Sequence, residues 1–96
     1  MARRRRRTVY INDKRWKIQW DAPLRGDFYG TCDYGSRTIQ LRKGQNVADL
    51  VDTIIHEIVH ARWPDLDEHA VVDISETISG FLDASGLLAA DQDAEE

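Results

Sequence analysis

The sequence has little of what would place a protein in a membrane or in an oxidising compartment. No apolar run approaches the roughly 20 residues of a membrane-spanning helix, and no signal-peptide core follows the N-terminal arginines. Cys32 is the only cysteine, which excludes an internal disulfide and makes a half-buried strand residue its expected role, rather than a nucleophile or ligand. The 96 residues therefore predict one small, soluble, cytoplasmic domain.

Acidic residues are scarce in the first half of the chain, and basic residues are scarce in the second half. Residues 1–44 contain 12 Lys and Arg against 4 Asp and Glu, whereas residues 45–96 contain 1 against 13. This asymmetry indicates separate surfaces, of which the basic one could meet nucleic acid or an acidic protein. The alternative is solvated charge that keeps the domain soluble. Hydrophobic residues make up 42% of the chain, which favours a folded domain over disorder.

The most informative stretch is His56-Glu57-Ile58-Val59-His60, which has the pattern H-E-x-x-H. On a helix, residues four apart lie one turn apart on the same face. Two imidazoles at that spacing can bind one divalent metal, and the Glu beside the first His can act on a water molecule at the metal. The pattern predicts His56 and His60 as ligands of Zn²⁺ and Glu57 as a catalytic residue.

Helical periodicity around the motif supports this prediction. The segment Val47–Arg62 has one apolar stripe when it is drawn as a helix, and both histidines fall roughly opposite that stripe. Asn46 is the expected N-cap, and Pro64 is expected to end the helix. The apolar stripe consists of Val47, Leu50, Val51, Ile54, Ile58 and Ala61.

The remaining elements follow from alternation and from turn residues. Alternating apolar residues predict strands at 8–12, 15–20, 28–33 and 37–41. A second helix is expected from a cap at Asp65 to about Ala84, with Gly86 as its stop. Residues 1–7 are expected to form a disordered basic arm, 8–86 the domain and 87–96 a disordered acidic tail. The second helix has an apolar stripe of Val71, Ile74, Ile78, Phe81 and Leu82.

A catalytic zinc usually has a third protein ligand. The second helix should return antiparallel beside the first, which brings Glu68 and His69 opposite His60. Glu68 falls at the edge of the buried stripe and His69 points away, so we favour Glu68 and keep His69 as the alternative. Glu68 could also belong to a capping arrangement with Asp65. The other acidic candidates are Asp65, Asp67, Asp73 and Glu76.

A metal-bound imidazole usually donates its second N–H to an acceptor that fixes its orientation. Asp52 lies one turn before His56 and is the first candidate for that role, with Asp49 and Thr53 as alternatives. Peptide hydrolysis would also need a group that stabilises the developing oxyanion. Tyr29, Tyr34 and Arg62 are candidates, and the sequence does not select one of them.

The chain resembles small zincin metallopeptidase-like proteins, which phages and bacteria often encode, over residues 28–82. The likeness consists of Gly30-Thr31-Cys32-Asp33, Arg37-Thr38-Ile39-Gln40-Leu41-Arg42, the run Leu50-Val51-Asp52-Thr53-Ile54-Ile55-His56-Glu57-Ile58-Val59-His60-Ala61, and Pro64-Asp65-Leu66-Asp67-Glu68. It is similar to the SprT-like, ImmA/IrrE-like and minigluzincin groups. A gluzincin third ligand would match Glu68, and the SprT-like one would match His69.

The predicted fold is α+β, a minimal zincin-like domain in which a small, mostly antiparallel sheet packs on the motif helix, with one C-terminal helix. The predicted activity is zinc-dependent peptide-bond hydrolysis with Glu57 as general base. A peptide or protein would be the substrate, and residues 37–42 could offer an exposed strand edge for it.

Two hypotheses in which the protein is not an enzyme stay open. One is a zincin-scaffold module that binds protein or nucleic acid through its basic half, with phosphate contacts from Arg3–Arg7. The other is a peptide-binding regulator that needs the strand edge but not Glu57. The sequence predicts no membrane contact and does not indicate an oligomeric state.

Overall fold

Four strands and two helices make up residues 5–88, the part of the chain that the computed structural model describes. The expectation of a small α+β domain is confirmed. No helix within these residues is both long and apolar enough to cross a membrane. In chain order the elements are β1 (Thr8–Ile11), β2 (Lys14–Ala22), β3 (Gly30–Asp33), β4 (Thr38–Arg42), α1 (Val47–Arg62) and α2 (Glu68–Ala84).

The strands form one mixed sheet in the order β1-β2-β4-β3. The β1–β2 and β3–β4 pairs are antiparallel, and β2 pairs with β4 in parallel. The sequence-based prediction of an exposed edge at residues 37–42 is therefore wrong, because β4 lies inside the sheet. Its position has a physical reason: Ile39 and Leu41 are 2% and 1% exposed, and an interior strand buries such residues best. The edge strand that contacts α1 is β3.

One face of the sheet packs on α1. The buried core contains Ile11 of β1, Trp16 of β2, Ile39 and Leu41 of β4 and Ala61 of α1. Leu50, Ile54 and Ile58 of the predicted helical stripe pack against this core. Strand alternation sends Tyr10, Arg15 and Lys17 to the opposite face, because Tyr10 is paired with Arg15 and Trp16 lies on the core side.

The motif helix has the predicted ends. The Asn46 side chain accepts a hydrogen bond from the Asp49 backbone N–H at 2.8 Å, which satisfies one of the free donors of the first turn. The helix ends at Arg62, and Trp63 is its C-cap immediately before Pro64. Both boundaries predicted from caps and proline are confirmed.

The second helix begins later than the sequence predicted. Its N-cap is Asp67 rather than Asp65, and the Asp67 carboxylate accepts a hydrogen bond from the His69 backbone N–H at 2.7 Å. A tight turn, in which the Leu66 N–H donates to the Trp63 carbonyl, occupies the intervening residues. Glu68 is therefore the first residue of α2, and its role in a capping arrangement with Asp65 is excluded.

The apolar stripe of α2 is buried only near its start. Val71 and Ser75 are buried where α2 packs on α1, whereas Ile78 is 44% and Phe81 is 71% exposed. The predicted stripe is therefore buried only in part, because among the described elements α2 packs mainly on α1.

The two predicted disordered ends fall mostly outside residues 5–88. Within that range, the guanidinium of Arg5 lies 4.8 Å from the ring centroid of Trp20. The Trp20 indole N–H also donates to the Arg6 carbonyl at 2.7 Å. Residues 5 and 6 therefore lie against β2.

Candidate metal centre

Three side chains converge where α1 meets the start of α2. The Nε2 atom of His56 lies 3.0 Å from Oε1 of Glu68, and the Nε2 atom of His60 lies 3.1 Å from Oε2. The three possible ligand atoms lie within 4.8 Å of one another. The histidines come from consecutive turns of α1, and the short turn after Trp63 brings Glu68 back beside them.

The chemistry and spacing of these atoms fit a zinc ion. Two imidazole nitrogens and one carboxylate oxygen are a known catalytic zinc donor set, and ligand atoms about 2.1 Å from a tetrahedral ion lie about 3.4 Å apart. The two imidazole–carboxylate separations, 3.0 and 3.1 Å, are slightly shorter than that value, and the ligand atoms as a group lie within 4.8 Å of one another. The Glu68 side chain is 62% exposed and each imidazole about one-fifth exposed, so the cluster opens to solvent on the Glu68 side.

The structure separates the two candidates for the third position. Glu68 lies in the cluster, whereas His69 is exposed and is not among the three residues grouped there. Of the other acidic candidates, Asp67 caps α2. The cluster also excludes Asp65, Asp73 and Glu76. Zinc binding itself stays a prediction.

Glu57 lies beside this cluster and is buried, at 7% exposure. Burial, and to a smaller extent the negative charge of Glu68, raises the pKa of Glu57 from 4.5 to about 7. Because an effective general base has a pKa near the working pH, this carboxyl is suited to exchange protons with a substrate at neutral pH.

The raised pKa makes stability depend on pH in the metal-free protein. Glu57 binds its proton more tightly when folded, since its ordinary pKa is 4.5 and its folded pKa is about 7. The stabilisation is complete below pH 4.5 and is lost as the pH rises through 7. Relative to Glu57→Gln, the wild-type protein should lose up to about 3 kcal/mol of unfolding free energy over that window. Urea titrations in chelator at several pH values measure this difference, and a difference independent of pH would contradict it.

Gly30 lets β3 approach α1 next to Glu57. A Cβ atom at this position would lie 2.7 Å from Cγ2 of Thr53, 3.1 Å from Cγ of Glu57 and 3.0 Å from the Gln40 carbonyl oxygen. One of these neighbours would have to move, and the strand backbone is a neighbour that yields little. Gly30 is therefore a packing requirement of the site.

Gly30→Ala is expected to lower the unfolding free energy by about 1–3 kcal/mol, because the added methyl overpacks the contact between β3 and α1. Gly80→Ala is the matched control. A Cβ there meets nothing within 4 Å, and alanine in a helix should add up to about 1 kcal/mol. Denaturant titrations measure both. Equal stability of the two variants would contradict the close approach at Gly30.

The structure distinguishes the three candidates for stabilising an oxyanion. The Tyr34 hydroxyl donates a hydrogen bond to the His60 carbonyl at 2.8 Å, so this donor is already engaged within the domain. The guanidinium of Arg62 lies over the ring of Trp63. Tyr29 is 60% exposed and lines a pocket together with His56 and Glu57, which makes it the candidate nearest the proposed chemistry.

The residues predicted to orient His56 are engaged elsewhere. Asp52 accepts a hydrogen bond from the Ser79 hydroxyl at 2.9 Å, and Asp49 accepts one from the Asn46 side chain at 3.1 Å. The Thr53 hydroxyl lies 2.9 Å from the Asp49 carbonyl oxygen. Within residues 5–88, no side-chain hydrogen bond joins any of the three to the His56 imidazole. The hydrogen bond between Asp52 and Ser79 instead links α1 to α2.

Cys32 has the environment expected of a structural residue. It lies half-buried in β3, and burial together with the negative charge of Glu57 raises the pKa of its thiol to about 11. The thiol is therefore protonated at neutral pH, which disfavours it as a nucleophile.

A pocket of about 210 Å³ opens next to Glu57. Its walls are residues 27–30 on one side and Asp52, Thr53, His56 and Glu57 of α1 on the other. This pocket could not be predicted from the sequence, because the loop before β3 contains no motif. The one available signal was Gly30, since a glycine at the start of a strand often marks a close approach.

Comparisons of the chain with models of known protein families, with curated proteins and with solved structures gave no match. The resemblance to zincin-like proteins therefore stays a prediction supported by the motif residues.

Proposed function

We propose that this chain is a zinc-dependent peptidase. The observation that supports the proposal most strongly is the convergence of the His56, His60 and Glu68 ligand atoms beside a buried carboxyl, Glu57. A structural ion pair would explain why the Glu68 carboxylate lies between the two imidazoles. It would not account for a solvent-facing donor set with a proton acceptor of raised pKa at its side.

His56, His60 and Glu68 would hold the ion. A bound zinc ion would polarise the substrate carbonyl and lower the pKa of water from its ordinary value towards ~7. The carboxylate of Glu57 accepts a proton from the attacking water while the water oxygen bonds to the carbonyl carbon. The same carboxyl then donates that proton to the amine nitrogen as the carbon–nitrogen bond breaks.

The free edge of β3 supports a peptide as the substrate. The Arg42 N–H donates to the Tyr29 carbonyl at 2.8 Å, so alternate residues starting from Tyr29 turn their hydrogen-bonding groups toward β4. Gly30 and Cys32 consequently turn theirs toward the free edge. An extended peptide could pair with this edge beside Glu57.

The proposal is tested by incubating the zinc-loaded protein with a mixture of synthetic peptides and detecting new termini by mass spectrometry. Cleavage at defined bonds is expected, with loss on adding a chelator and recovery on adding zinc. A protein that binds one zinc per chain and cleaves nothing in a diverse mixture would contradict the activity but not the site.

A second candidate function is supported by the sheet face opposite α1. Arg15 and Lys17 lie on that face beside Tyr10, which is 69% exposed, and this combination can contact phosphates and bases. Binding to single-stranded nucleic acid that weakens steeply with salt, and is lost in Arg15→Ala with Lys17→Ala, would support it. Such binding should be indifferent to Glu57→Gln.

A further inference from the structure

The pocket beside Glu57 contains more negative charge than proton transfer requires. Asp27 and Asp52 both line it, in addition to Glu57, and no Lys or Arg of residues 5–88 does. Asp27 makes no ion pair with any residue between 5 and 88, and Asp52 accepts one hydrogen bond, from the Ser79 hydroxyl. Among residues 5–88, no basic side chain forms an ion pair with either of these two carboxylates.

Two exposed aromatic rings lie in the same pocket wall as Asp27. Phe28 is 66% exposed and Tyr29 is 60% exposed. Aromatic faces beside carboxylates suit a cation with a long aliphatic stem, since the stem packs on the ring while the charge reaches an acidic group.

The wall is held in place by the backbone. Arg42 donates hydrogen bonds from its guanidinium to the carbonyl oxygens of Phe28 and Gly26. These bonds order the loop on which Asp27 lies. They also direct the Arg42 guanidinium to carbonyl groups of the loop, and it forms no ion pair with the Asp27 carboxylate.

We propose that this pocket binds the side chain of a lysine or arginine next to the cleaved bond, so that the substrates are basic peptides. The inference rests on the proposed function and adds to it the substrate class. Asp27 is the specificity-determining residue, because its carboxylate lies on the same wall as Phe28 and Tyr29 and makes no ion pair within residues 5–88, whereas Asp52 is engaged by the Ser79 hydroxyl. Phe28 and Tyr29 contact the aliphatic stem.

The test uses the zinc-loaded full chain and one cleaved peptide, varied to Lys, Leu or Glu at each residue flanking the cleaved bond. At one of these positions, kcat/KM should be at least about fivefold higher for Lys than for Leu and lowest for Glu. Asp27→Asn should lower the Lys-to-Leu ratio about threefold, as an exposed charge pair predicts. The ratio should also fall between 0.05 and 0.5 M salt, in keeping with the screening of exposed charges.

Asp73→Asn is the matched control, because it removes the same charge from an exposed position on α2 outside the pocket. It should leave the Lys-to-Leu ratio unchanged. A preference for Leu, or equal losses in the Asp27 and Asp73 variants, would overturn the proposal.

A binding measurement separates this inference from the proposed activity. Glu57→Gln protein loaded with zinc is titrated with the same peptides, labelled with a fluorophore, and anisotropy gives Kd. Tighter binding of the Lys peptide that depends on Asp27, without hydrolysis by the wild-type protein, would support the pocket and contradict the peptidase. Hydrolysis without a preference for basic residues would support the peptidase and contradict the pocket.

Discussion

Glu57→Gln is expected to lower kcat/KM for peptide hydrolysis by at least about 100-fold, within the range that general acid–base catalysis contributes. Glutamine keeps the size of the side chain and its position beside Gly30, but it cannot accept the proton from water. The effect should appear in kcat with little change in KM, since Glu57 is proposed to act in the transition state rather than in peptide binding. Steady-state kinetics on one defined peptide measures both constants.

The variant is informative only if its site is intact. Zinc content per chain should match that of the wild-type protein, because Glu57 is not among the three converging ligands. Glu76→Gln, the same change at an exposed position of α2, should leave kcat unaltered. Full turnover in Glu57→Gln would eliminate the role of Glu57 as general base and would require another group to accept the proton from water.

The sequence predicted both helices well because their determinants are local. Asn46 and Pro64 bracket α1, and a single apolar stripe specifies which side packs on the sheet. The choice of Glu68 over His69 also followed from local geometry, since a short turn and a helical wheel fix which residue faces the motif helix.

The order of the strands could not be predicted in the same way. The two antiparallel pairs join strands that are neighbours in sequence, but the parallel pairing of β2 with β4 joins residues about 20 positions apart. No turn signal encodes such a contact, so the prediction wrongly left residues 37–42 at an edge. The burial of Glu57 has a similar origin, because it depends on how closely Gly30 brings β3 to the helix.

Glu68→Ala is expected to weaken zinc binding by more than about 100-fold, whereas His69→Ala should leave it unchanged. Loss of an outer partner of a ligand already costs about 10–100-fold, and Glu68 is proposed as a direct ligand. His69 makes its observed contact through its backbone N–H, which alanine retains. Metal analysis of protein purified without added zinc should give about one ion per chain for wild type and His69→Ala.

Thermal stability offers an independent measure of the same difference. Zinc at about 100 times its Kd should raise the unfolding free energy of the wild-type protein by about 2.7 kcal/mol. The same zinc concentration should stabilise Glu68→Ala by less than about 0.5 kcal/mol, because binding would then be at best half-saturated. Without zinc, Glu68→Ala loses only its solvent-exposed contacts with two imidazoles, which are worth little. Equal stabilisation of both proteins by zinc would show that Glu68 is not a ligand and that its position between His56 and His60 is an ion pair alone.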